Sequence, residues 1–164
     1  MAQNRRPAIS VLAVLAIAML SALGCGSSQT TGGGSSTLIA QADPICRQVA
    51  ARRAAANAAL RESRPSTAKS LLVLAHIAPN VAVYEHQAID RLSSLKPPAA
   101  LSSDWQQMLA GMQKLADYAA RLGPYARSHN VKGIRALDAD GKRIREQLTV
   151  IATRDGFTYC GRTS

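Results

Sequence analysis

NVKGIRALDADGKRIREQLTVIATRDG, residues 130–156, shows the cleanest helical repeat in the chain. Ile134, Leu137, Gly141, Ile144, Leu148 and Ile151 recur at steps of three and four. That spacing lines up side chains on one face of a 3.6-residue helix. Asn130 stands ahead of the repeat, where its side-chain oxygen can accept a free N–H of the first turn. Gly156 closes the repeat, because glycine enters the left-handed conformation of a helix end without a Cβ clash. Arginine, lysine, aspartate and glutamate fill the other face.

Three further segments carry the same period. The first opens at Asp43-Pro44, an acid in the capping position followed by proline at the first helical residue. Ile45, Val49, Arg52 or Arg53, Ala56 and Leu60 form its stripe, and Arg64-Pro65-Ser66 ends it. The second runs from about Ser66 to Leu95 through Leu74, Ala78, Val81, Tyr84, Ala88 and Leu92. Pro79 interrupts it, and the stripe resumes in register, so the reading is a kink and not an end. Lys96-Pro97-Pro98 then forces an extended turn. The third opens near Ser102 or Ser103 and carries Trp105, Met108, Met112, Leu115, Ala119 and Leu122. Gly123-Pro124 is expected to break it, with room for a short helical turn as far as His129. No segment alternates with period two, so no sheet is expected. The expected fold is all-α: residues 39–164 as an antiparallel up-down-up-down four-helix bundle with a kinked second helix, closed by one disulfide. Thirty alanines against six aromatic residues call for thin, closely packed helices.

The N-terminal part has a different composition. Arg5 and Arg6 precede Ile9–Leu23, an uncharged run of fifteen residues, and Gly24-Cys25 follows at once. A membrane span needs about 20 apolar residues, whereas a signal-peptide core is shorter. Leu20-Ser21-Ala22-Leu23-Gly24-Cys25 resembles the lipobox of bacterial lipoproteins. That resemblance implies a signal peptide over residues 1–24, lipidation of Cys25 with acyl chains of the palmitate type, and Cys25 as the mature N-terminus. Ala22 stands where the family prefers an aliphatic residue. Ala22-x-Gly24 also satisfies the small-x-small rule of ordinary secretory cleavage, so a secreted protein is the alternative. Residues 25–38 then comprise the lipidated cysteine and a Ser/Gly-rich tether that cannot bury anything. The expected location is the extracytoplasmic face of the cell membrane, lipid-anchored, with membrane lipid a partner through Cys25.

Without Arg5 and Arg6 the chain carries 18 basic and 10 acidic side chains, a net charge of +8. Export argues against nucleic acid as the partner of this charge and leaves anionic headgroups, cell-wall polymers or an envelope protein. Arg47, Arg61 and Arg64 on the first helix are the candidate contacts with an anionic surface. The plainer reading of the same residues is a set of arginines snorkelling over an alanine-rich helix. Two cysteines besides Cys25 stand at opposite ends of the folded region, and disulfides persist outside the cytoplasm. Cys46 and Cys160 are therefore expected to pair. In an up-down-up-down bundle the start of the first helix and the end of the fourth share one end, which agrees.

The lipobox, Ser/Gly tether, Ala42-Asp43-Pro44-Ile45-Cys46, mid-helix Pro79, Leu95-Lys96-Pro97-Pro98, Trp105 and terminal Cys160-Gly161 together resemble small helical lipoproteins of high-GC Gram-positive bacteria. Those motifs are caps, turns and a disulfide, and they carry no catalytic signature. The resemblance implies surface location and nothing about chemistry.

The chemistry-bearing residues are few. His76, His86 and His129 have Val73, Val83 and Ala126 three residues before them, so the Glu-x-x-His of carboxylate-bridged metal bundles is missing. His86 and Asp90 share a helix face and read as a solvated pair before they read as metal ligands. Met108 and Met112 fall at core spacing, and Trp105 begins the same stripe. No Gly-x-Ser-x-Gly or phosphate-binding glycine loop occurs. The expectation is a binding or envelope-interaction module, not an enzyme, with no metal and no cofactor. The alternative is a small-ligand or metal carrier that uses the bundle core.

Overall fold

The computed structural model describes residues 33–63 and 67–162. Residues 31–164 form one compact unit. Its described part consists of four α-helices: α1 (Gly33–Ser63), α2 (Thr67–Ser93), α3 (Ser102–Arg127) and α4 (Val131–Asp155). A 3-10 turn at Ala99–Leu101 leads into α3, and no strand occurs among the described residues. The signal-peptide reading of residues 1–24, Cys25, the tether as far as residue 32, and Arg64 lie outside the described residues.

Helix α4 follows its expected period. The Asn130 side chain accepts the Gly133 N–H at 2.9 Å. Gly156 takes φ of 85°, and the Phe157 N–H returns to the Ala152 carbonyl at 2.9 Å. Leu137, Leu148 and Ala152 are buried along the expected face.

Helix α1 departs from the reading. It begins at Gly33, well ahead of Asp43, so residues 33–38 of the expected tether are helical and Pro44 lies inside the helix. Proline there withholds one N–H from the helix ladder, a cost that local sequence signals register. Burial offsets it. Leu38 and Ala42 extend the stripe of Ile45 and Val49 backwards in register, and they are 2% and 0% exposed. Asp43 does not cap the helix, because it is engaged elsewhere.

Helix α3 departs as well. It runs through Gly123-Pro124 to Arg127. Gly123 packs against the proline inside α2: a Cβ placed on it would lie 2.8 Å from Pro79 Cγ. The two helices can therefore come together only where glycine meets the ring, and that contact holds α3 helical past the expected break. The turn into α4 then closes through His129, which takes φ of 55°.

Specific contacts join neighbouring helices. Tyr84 and Arg91 of α2 reach Gln48 of α1, and Ser70 meets Ser63. His86 meets Gln113 of α3, and Arg127 reaches the Ala75 carbonyl. Asp104 of α3 pairs with Arg154 of α4. A continuous core forms where Leu38, Val49, Leu92, Trp105, Met108, Leu148, Phe157 and Cys160 converge. Trp105 and Phe157 stack there with ring centroids 5.7 Å apart. The well-packed helix pairs are α1–α2, α2–α3 and α3–α4. Helices α1 and α4 form no such pair and are joined chiefly through the segment that follows α4.

Candidate functional site

That joining segment is built from two fastenings. Cys46 and Cys160 form a disulfide with Cα atoms 5.0 Å apart and 114 residues between them in sequence. One helical turn before Cys46, the Asp43 carboxylate accepts the N–H groups of Thr158, Tyr159 and Cys160 at 2.9, 3.0 and 3.3 Å. Both cysteines are buried, so the bridge is part of the core.

Away from this fastening, α1 and α4 stand apart and leave a cavity of about 650 Å³ between the four helices. This lies within the size range of small-molecule sites, roughly 300–1,000 Å³. Leu60 of α1, Leu74, Ile77 and Val81 of α2, Leu115, Tyr118 and Leu122 of α3, and Ile134 and Leu137 of α4 give it an apolar lining. The stripes that predicted helices thus face each other here without closing. A second crevice, near 20 Å³, lies beside the disulfide and shares Arg53, Leu115 and Arg145 with the large cavity.

Charged residues enter the lining from three helices. Arg53 Nε donates to Glu85 Oε1 at 2.6 Å. The Glu85 side chain is 6% exposed and that of Arg53 26%. Glu85 Oε2 is buried with no hydrogen-bond partner. Arg145 lies 3.5 Å from Asp138, whose side chain is 79% exposed. Arg135 lines the same cavity from the exposed side of α4. These groups carried a signal in the sequence: Arg53, Glu85 and Arg145 each fall on an apolar stripe, at i+4 from Val49, Val81 and Gly141. Glu85 and Arg145 are absent from the expected stripes, because a charge among apolar residues looks like the edge of a face until its partners are known.

The other candidate residues take varied places. Arg47 is exposed and lies over the Tyr159 ring at 5.9 Å, and Arg61 is exposed on the same helix. Arg52 lies over Tyr84 at 5.2 Å. His86 does not pair with Asp90. Its Nδ1 is 3.1 Å from Gln113 Nε2 and its Nε2 is 3.6 Å from Asp117, so α3 supplies both partners. Met108, Met112 and Trp105 are core residues, and Tyr118 reaches the cavity. At the disulfide end, Arg154 bridges Asp155 and Asp104, whose carboxylates hold its guanidinium still further toward the charged form. Among the described residues no group of three or more His, Cys, Asp or Glu is placed to hold a metal ion. None of the described helices is long and apolar enough to cross a membrane.

No family model matches the chain, and neither the curated proteins nor the solved structures yield a match.

Proposed function

We propose that this chain is an exported binding module, anchored to the membrane through a lipidated Cys25, that carries an apolar small ligand between its helices. The observation that carries the reading is the apolar cavity of about 650 Å³. The pocket opens to solvent, so its aliphatic lining lies against water, and an apolar ligand would remove that surface from water. In this reading residues 1–24 are a lipoprotein signal peptide, and the helices run up-down-up-down. The antiparallel sense is supported by contacts that climb one helix while descending the next, as Gln48–Tyr84 and Ser63–Ser70 do. The topology lays the N-terminal half of α1 beside the end of α4, where the disulfide fastens the bundle and leaves the opposite half free to open. The module has no catalytic role.

Two measurements test this. Residues 31–164 contain the core and the disulfide and are suited to recombinant work. A ligand that binds the folded state raises stability by RT ln(1 + [L]/Kd), about 2.7 kcal/mol at one hundred times Kd. Apolar probes should therefore raise the melting temperature in proportion to the logarithm of their concentration. A melting temperature unmoved by every probe refutes the cavity as a binding site. Mass spectrometry of the native N-terminal peptide tests the anchor, and an unmodified Cys25 in a soluble fraction refutes it.

A second reading, contact with an anionic envelope surface, is favoured by the exposure of Arg47 and Arg61 on α1. It concerns a different face and is compatible with the first.

A further inference from the structure

We infer that the ligand is a single-chain anionic amphiphile: an alkyl tail in the cavity and a carboxylate or phosphate head held by Arg145 and Arg53 at the seam between α1 and α4. This rests on the binding role proposed above and specifies its chemistry.

The tail follows from the aliphatic side chains that all four helices contribute to the lining, among them Leu60, Leu74, Leu122 and Ile134. The head follows from the charges. Arg53 and Arg145 line both the large cavity and the crevice beside it, and Arg162 joins them at the crevice. Around the large cavity three guanidinium groups, Arg53, Arg135 and Arg145, stand against two carboxylates, Glu85 and Asp138. Glu85 is committed to Arg53. Asp138 is mostly in water, and its contact with Arg145 is a long 3.5 Å. Such a pair is worth little, so Arg145 can exchange it for a better partner. A guanidinium presents paired donors in one plane, matching two oxygens of a carboxylate or phosphate. An anionic head at this point meets the excess of positive charge while its chain enters the apolar space below.

A cationic head aimed at the free Oε2 of Glu85 is the competing chemistry. That oxygen is closed off from solvent, and the Arg53 guanidinium already neutralises its carboxylate. An ammonium would add a further positive charge to a lining whose guanidinium groups already outnumber its carboxylates.

The test is titration calorimetry on oxidised residues 31–164 with decanoate, decyl phosphate, decanol and decylammonium, each below its micellisation limit. The two anions should bind about tenfold tighter than decanol, the low end for a charge-assisted hydrogen bond. Decylammonium should bind weakest. Affinity should climb roughly threefold to fourfold per methylene along the carboxylate series until the cavity is full. Arg145→Gln should weaken the anions far more than decanol, and Arg145→Lys should recover part of the loss. Ala119→Leu narrows the cavity and should weaken every ligand while far-ultraviolet helicity stays at the wild-type level. A preference for one anion over the other separates a fatty-acid source from a phospholipid-derived one. Equal affinity for decanol and decanoate, or tightest binding by decylammonium, overturns the head-group assignment and leaves the apolar site standing. Binding by none of the four overturns both.

Discussion

Replacing Asp43 with alanine should detach the segment after α4 from α1 without melting either helix. In the folded chain its carboxylate accepts three consecutive backbone N–H groups, at 2.9, 3.0 and 3.3 Å. A hydrogen bond to a charged group contributes about 1.5–3 kcal/mol. The three share one carboxylate that is partly in water, so they do not add, and the expected loss is about 2–3 kcal/mol. For a unit of this size each kcal/mol lowers the melting temperature by roughly 4 °C, which places the shift near 10 °C. Asp43→Asn should cost less, since one acceptor oxygen survives while the amide group faces a donor. Urea unfolding at constant m-value measures the loss. Hydrogen exchange of the Thr158, Tyr159 and Cys160 amides locates it. Native helicity should not change, because α1 starts at Gly33 and does not depend on Asp43 as a cap. A loss below about 0.5 kcal/mol, the level of an ordinary surface substitution, would refute the fastening role. So would a drop in native ellipticity, which would restore Asp43 as a helix start.

Cys46→Ser or Cys160→Ser opens a loop spanning 114 residues and should cost up to about 5 kcal/mol by chain entropy. Reduced wild type should melt with the variants, and identical melting of oxidised and reduced protein would refute the pairing. Arg53→Met should destabilise more than Glu85→Met, as read by the urea midpoint, because the first strands a buried carboxylate and the second leaves a guanidinium that reaches water. Equal losses would show that the pair is not asymmetric in burial. Residues 31–164 should co-sediment with anionic vesicles at low salt and less so at physiological salt, and joint Arg47→Gln, Arg61→Gln and Arg64→Gln should abolish this, at about 1 kcal/mol per arginine. Equal recovery with neutral vesicles would make these arginines ordinary surface.

Sequence alone determined the helices whose ends are set locally. Asn130 and Gly156 bound α4 because a cap and a left-handed residue act over a few neighbouring peptide groups. The pairing of Cys46 with Cys160 was legible too, since two cysteines near opposite ends of an antiparallel bundle are expected to fall on the same side of it. Where a local signal met a distant contact, the contact prevailed. Asp43-Pro44 reads as a helix start, yet Leu38 and Ala42 find burial in the core and carry α1 back to Gly33. Gly123-Pro124 reads as a stop, yet Gly123 fits against Pro79 and α3 continues. The cavity was beyond the pattern altogether. An apolar stripe states that a face prefers to leave water, but not whether the opposite helix comes close enough to fill the space. Here Cys160 and the Asp43 carboxylate fasten α1 to the segment after α4, and beyond that fastening Arg53 of α1 and Arg145 of α4 line one open cavity.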